Sequence, residues 1–201
     1  MGWRVPLLIR PLSARHASAA TLRALPSARM VRSTEPATTL QPRIHAPMPS
    51  RRAEIALTPE EQQQFLQQGW TLQVASIGPK GYPHLVAMWY VVIDGLIHFT
   101  TFAKSQKVLN LRRNPKITVM LESGKLYHEL KGLVIEGDAE IIEDTPFTAR
   151  VMALVGEKYN GIPAPMETPE AALKVASKRV TVRVKPVDTY SWDHAKLGGR
   201  Y

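Results

Sequence analysis

The chain has 201 residues, 44% of them hydrophobic, with 16 prolines and no cysteine. Its length fits one domain plus extra sequence, the missing cysteines exclude a disulfide framework or a thiolate metal site, and no apolar run of about 18 residues is present to span a membrane. The net charge of +9 is lodged at the front: residues 1–50 hold seven arginines and one acid, leaving only +3 for the other 151 residues, so the basic balance does not imply a nucleic-acid partner.

Residues 1–50 are rich in Arg, Ser, Ala, Thr and Pro and are expected to be a disordered basic leader, because they bury too little apolar surface to offset chain entropy. Two origins stay open. An Arg-rich, acid-poor leader has the look of a transit peptide and would send the protein to an organelle. Alternatively the gene start is over-extended, Met48 is the initiator, and the protein is cytoplasmic. The ordered domain is expected over residues 55–198.

At Thr58-Pro59-Glu60-Glu61 the composition changes. Thr58 as N-cap, Pro59 at the first helical position and Glu61 at the third make a capping box, and the helix should stop at Gly69. Strands follow over 71–77 and 83–93, the second reaching the hairpin signal Asp94-Gly95. The next strand is expected over 96–102. Ser105 then caps a short basic helix that Asn114-Pro115 stops. Further strands are expected over 116–122 and within 126–142, the latter with Gly132 and Gly137 as bulge points. Helices are expected over 146–159 and from Pro169 to Val175. The last strand, 179–187, alternates Val180, Val182 and Val184 against polar neighbours, and Tyr190-Ser191-Trp192 extends the sheet. The fold class is mainly β: an antiparallel barrel of about six strands with added helices.

The basic helix carries the first functional signal. Lys104 and Lys107 flank its N-terminus, where unpaired amides and the macrodipole favour an anion. With Ser105 they make a plausible phosphate cradle; the plainer reading is a solvated basic face. No Walker loop, Rossmann glycine fingerprint, nucleophile elbow or His-Glu-x-x-His motif occurs. The six histidines show no ligand spacing, so no metal is expected, and His98 reads as a partnered structural histidine. Hard chemistry would have to come from a cofactor.

The run Pro83-His84-Leu85-Val86-Ala87-Met88-Trp89-Tyr90, the hairpin Asp94-Gly95, the strand end Phe99-Thr100 and the segment KSQKVLNLRRNP resemble the pyridoxamine 5'-phosphate oxidase-like, flavin-binding split-barrel superfamily. The ending Ser191-Trp192-Asp193-His194-Ala195-Lys196-Leu197 resembles its branch of deazaflavin (coenzyme F-420)-dependent oxidoreductases. The resemblance covers residues 58–197. It implies a six-stranded split β-barrel homodimer with two cofactor sites at the interface, holding deazaflavin or FMN and reducing a small-molecule acceptor. Leu85, Val86, Met88 and Trp89 would lie along the ring. Phe99, Thr100, Lys104, Ser105 and Lys107 would hold the phosphate, and Asn110 and Arg112 would reach the cofactor tail. Trp192 would cover the site or anchor the tail.

Met88, Trp89 and Tyr90 have an alternative role as core and dimer-interface bulk, because strand residues alternate sides. Asp193-His194 is either an acid–base pair or a solvated rim, and no catalytic residue is assigned. The oxidases of the superfamily carry an Arg-Lys pair where this chain has Gln106-Lys107, and their C-terminal substrate arginine pattern is missing. Vitamin B6 oxidation is therefore not expected. A second functional class is a split barrel that carries or senses flavin or haem without turnover.

Overall fold

The computed structural model describes residues 52–198; the leader expected over 1–50 lies outside the described residues. The elements are α1 (Arg52–Ile55), α2 (Pro59–Gln68), β1 (Leu72–Ile77), β2 (Pro83–Met88), β3 (Val91–Ile93), β4 (Leu96–Phe102), α3 (Gln106–Arg113), β5 (Lys116–Ser123), β6 (Lys131–Ile142), α4 (Thr145–Asn160), α5 (Glu170–Ala176) and β7 (Arg179–Asp193). Single 3-10 turns stand at Tyr127–Glu129 and His194–Leu197. Among the described residues no helix is long and apolar enough to cross a membrane.

The strands form one antiparallel sheet in the order β2-β1-β5-β6-β7-β4-β3. Its two edges, β2 and β3, are separated in sequence only by Trp89 and Tyr90. Three residue steps span at most about 11 Å, so the sheet must curl until its edges nearly touch. That is the barrel, and it explains the strand count. The single strand expected over 83–93 is cut in two, because the Tyr90 amide donates to the Tyr159 hydroxyl (3.1 Å) instead of to a strand partner. Seven strands result where six were expected, with the expected architecture.

Period-two alternation fills the interior. Leu72 and Val74 of β1, Ile97 and Phe99 of β4, Ile117, Val119 and Leu121 of β5, Leu133 and Ile135 of β6, and Val182 and Val184 of β7 join one core cluster. Leu66 of α2 and Leu111 of α3 plug it from outside the sheet. On the opposite face of β7, Thr181 is buried beneath α4, where its hydroxyl meets that of Thr148 at 3.0 Å.

Local signals explain most boundaries. The Thr58 hydroxyl accepts from the Glu61 amide (3.3 Å) and the Glu61 carboxylate from the Thr58 amide (2.8 Å), the expected capping box. Asp94 and Gly95 both have positive φ, 53° and 76°, as a two-residue hairpin turn needs.

Two expectations need correction. Gly69 does end α2, but in extended rather than left-handed backbone; glycine is required because a Cβ there would lie 2.8 Å from the Tyr90 hydroxyl. The register of β6 against β7 shifts at Glu136/Gly137 but runs unbroken through Gly132. Gly132 is small because the Trp192 indole covers it, at 2.1 Å from where a Cβ would stand. β7 is one strand from Arg179 to Asp193, so Tyr190-Ser191-Trp192 extends the sheet as expected. The strand expected within 126–142 runs from Lys131 to Ile142, after the 3-10 turn.

Candidate functional site

The end of β4 and the start of α3 bring together two hydroxyls and an ammonium. Ser105 occupies the N-cap position, yet its side chain makes no bond to the helix. Its hydroxyl instead lies 3.2 Å from that of Thr101, which also accepts from the Lys107 ammonium at 3.0 Å. Burial pushes the Lys107 pKa below the ordinary lysine range, and among the described residues no carboxylate pairs with it. An uncapped helix N-terminus and an ammonium with only a neutral partner are both better satisfied by an anion. Of the residues expected at the cradle the structure brings Ser105 and Lys107 together, with Thr101, not Thr100, beside Lys107. Lys104 is exposed.

The remaining residues named from the α3 segment have partners within the chain. Asn110 is fully buried, donating to the Ser76 hydroxyl (3.1 Å) and accepting from the Gln106 amide (2.9 Å). It fastens α3 to β1. Arg112 pairs with Glu143, and Arg113 donates to the Ile77 carbonyl. Phe99 is wholly buried in the core, so its side chain does not reach a ligand.

Thr100 faces the other side of β4, into a cleft of about 640 Å³ walled by Ala87, Met88 and Trp89 on one side and by Met152, Val155 and Asn160 of α4 on the other. Arg179 completes its rim. Along β2 the exposed and half-buried residues alternate: Leu85 projects outward, while Val86 and Met88 pack against the core. The four β2-segment residues expected along a ring thus divide between two faces. Trp89 is half-exposed and stacks on Tyr159, ring centroids 4.7 Å apart and planes at 12°. Tyr159 donates to the Trp70 carbonyl (2.7 Å) and meets the Trp70 ring edge-on. Beside it, Lys158 holds its ammonium 3.8 Å from the Tyr90 ring centroid. Burial pushes that lysine down to about 8, against the pull of the ring face, and raises the Tyr90 hydroxyl far above its usual value.

Trp192 stands elsewhere. It lines a second cleft of about 660 Å³ with Ala53, Leu57, Tyr190 and His194, and the two clefts share no lining residue. Asp193 and His194 do not form an acid–base pair: Asp193 bonds to Lys131 at 2.8 Å, while the His194 ring contacts the Tyr127 carbonyl at 2.9 Å. His98 is the partnered structural histidine expected. Its Nδ1 lies 3.0 Å from the Leu96 carbonyl and its Nε2 accepts from Arg183 at 2.9 Å, and burial holds its pKa below the usual value.

Sequence reasoning missed Thr101, Lys158, Tyr159 and Arg179. Thr101 was one step away, and strand alternation against the buried Phe99 is the signal that places it on the inner face. Lys158 and Tyr159 sit where helical periodicity registers only core and surface, and no motif marks them.

The solved structure of the conserved hypothetical protein Rv2991 from Mycobacterium tuberculosis matches 75% of this chain and 93% of its own, at 45% identity and a TM-score of 0.69. An F420 reductase matches at 23% identity over 66% of this chain and 98% of its own, with a TM-score of 0.52. The heme storage protein HutZ from Vibrio cholerae matches at 20% identity over 67% and 94%, with a TM-score of 0.52. The last two likenesses show the fold alone. No curated protein matches the sequence. The pyridoxamine 5'-phosphate oxidase family is matched over residues 58–193, and the chain belongs to that family.

Proposed function

We propose that the protein is a homodimeric oxidoreductase that binds a flavin-type cofactor, reduced deazaflavin (coenzyme F-420) ahead of FMN, and passes a hydride to a small acceptor with an activated double bond. The observation that carries the reading is the unpaired Lys107 ammonium beside the Thr101 and Ser105 hydroxyls at an uncapped helix N-terminus. These groups would hold the cofactor phosphate, and Thr100, Met88 and Trp89 would border its ring. Gln106 standing where the family's oxidases have arginine favours the deazaflavin. Such a cofactor, when bound, supplies the hydride chemistry itself. The chain's part is to orient the ring, to wall it with Met88, Met152 and Val155, and to exclude water. The outward aromatic and aliphatic residues Leu85, Trp89 and Phe102 suit a dimer interface beside the cleft.

One observation favours the carrier or sensor alternative: among the described residues, no histidine, lysine or carboxylic acid lines the cleft, so no general acid stands ready there. Titration of the full-length protein with FMN and separately with deazaflavin, followed by fluorescence, tests the reading. Saturation at one cofactor per subunit with reduction of an acceptor is the expected result. Saturation without turnover against any hydride acceptor selects the carrier, and binding of neither cofactor removes the proposal.

A further inference from the structure

Among the described residues, Arg179 is the only charged one lining the cleft between β2 and α4. It opens β7 directly opposite Phe102 in the β4–β7 register, so its side chain emerges on the face that Thr100 and Phe102 share. The guanidinium carbon lies 4.2 Å from the Phe102 ring centroid, a cation–π contact that restrains the side chain. Its Nε is buried and has no hydrogen-bond partner. Three other arginines differ. Arg112 and Arg183 pair with Glu143 and Glu140, and Arg113 donates to the Ile77 carbonyl. Among the described residues, no carboxylate pairs with Arg179.

A buried donor without a partner is costly and calls for an explanation. Here a fork of donors packed on an aromatic ring lines a cavity whose volume falls in the range of small-molecule sites, about 300–1,000 Å³. We infer that Arg179 binds the carboxylate of the molecule this cleft accepts, so that the acceptor is an organic acid with an apolar body.

The choice of anion follows from the walls. A carboxylate matches the guanidinium fork bidentately and carries one charge. A phosphate dianion calls for more positive charge than one arginine, and the other polar lining groups, Thr71, Thr100 and Asn160, are neutral. Met88, Trp89, Met152 and Val155 supply the apolar surface for the body. The Lys107 cradle is a different anion site, because Thr101, Ser105 and Lys107 are not among the residues that line the cleft. The inference rests on the reading above for the ligand's role as acceptor, but not for its binding.

The test uses the full-length protein without added cofactor. Trans-cinnamate and its neutral isostere cinnamamide are titrated calorimetrically into the wild type and into Arg179→Gln. Wild type should bind cinnamate at least about tenfold more tightly than cinnamamide, and Arg179→Gln should lose that preference. Equal affinities in the wild type, or a preference that survives Arg179→Gln, overturns the inference. Should Arg179→Gln fail to fold, 15N-arginine spectra of the wild type decide: cinnamate must move one Nε–H resonance, the one missing from Arg179→Lys, and a static signal overturns the assignment. Cofactor affinity of a Lys107 variant is measured separately, so failure of either idea is distinguishable from failure of the other.

Discussion

Replacing Lys107 by Met isolates its charge, because the methionine keeps most of the aliphatic stem while removing the ammonium. In the folded chain that ammonium is half-buried, bonded only to the Thr101 hydroxyl at 3.0 Å, and held below its ordinary pKa by desolvation. A charge-assisted bond to a phosphate contributes about 1.5–3 kcal/mol, equivalent to roughly 10- to 150-fold in Kd. Stability should move far less. The substitution breaks one bond to a neutral partner, Thr101 keeps the Ser105 hydroxyl at 3.2 Å, and no ion pair is lost, so the change should stay within about 1 kcal/mol. Fluorescence titration with whichever of FMN and deazaflavin the wild type prefers gives the first number, and urea unfolding gives the second. A Kd within threefold of wild type would refute the phosphate cradle. Weakened binding accompanied by a loss of several kcal/mol in stability would refute it too, by making Lys107 a structural residue.

Two further outcomes are expected. Tyr90→Phe removes the hydroxyl that donates to the Leu66 carbonyl at 2.6 Å and lies 3.2 Å from that of Gly69; stranding carbonyls at the end of α2 should cost about 1–3 kcal/mol. At about 2–4 °C per kcal/mol, thermal unfolding followed by circular dichroism should register the loss, and a shift below about 2 °C would show that water replaces the hydroxyl. Acid should weaken the fold through His98, whose pKa is lowered first by burial and also by Arg183, against the Leu96 carbonyl, Asp94 and Glu140. Because the folded pKa lies below the unfolded value of about 6.5, the unfolded chain binds more protons in that window. Stability is full above pH about 6.5 and is lost as pH falls through the folded value. Urea unfolding between pH 7 and pH 5 should show the decline in wild type and a shallower one in His98→Gln; identical slopes would acquit His98.

What could be read from the sequence was whatever is encoded locally. The capping box at Thr58, the Asp94-Gly95 turn and the Val180-Val182-Val184 alternation depend on residues within a few positions of each other, and each signal led to the right element. The division of the strand over 83–93 was not legible, because apolar content continues through Trp89 and Tyr90. Only the partners reveal the break: Tyr159 from α4 takes the Tyr90 amide, and the α2 carbonyls take its hydroxyl. At the candidate site, Lys107 and Ser105 were legible from helix-terminus chemistry. Asn110 was read as a ligand for want of its true partner, Ser76, which lies 34 positions earlier. Arg179 and Tyr159 gain their positions from pairings across the sheet and between α4 and β2, distances in sequence that no spacing rule spans.

The closure of the barrel and the shape of the cleft are one structural event. The sheet's edges are joined through two residues, and alternation sends them opposite ways. Tyr90 goes inward, fully buried, to end α2, and Trp89 goes outward to the cleft. Tyr159 ties both to α4, since its hydroxyl accepts from the Tyr90 amide and donates to the Trp70 carbonyl while its ring stacks on Trp89. The cleft wall is therefore not a loop that can drift while the barrel stands. Loosening the Tyr90 anchor should loosen Trp89 with it, whereas the Lys107 cradle, held by the Thr101 hydroxyl, depends on different contacts. The two anion sites can thus be perturbed one at a time, which is what makes the carboxylate and phosphate assignments separately refutable.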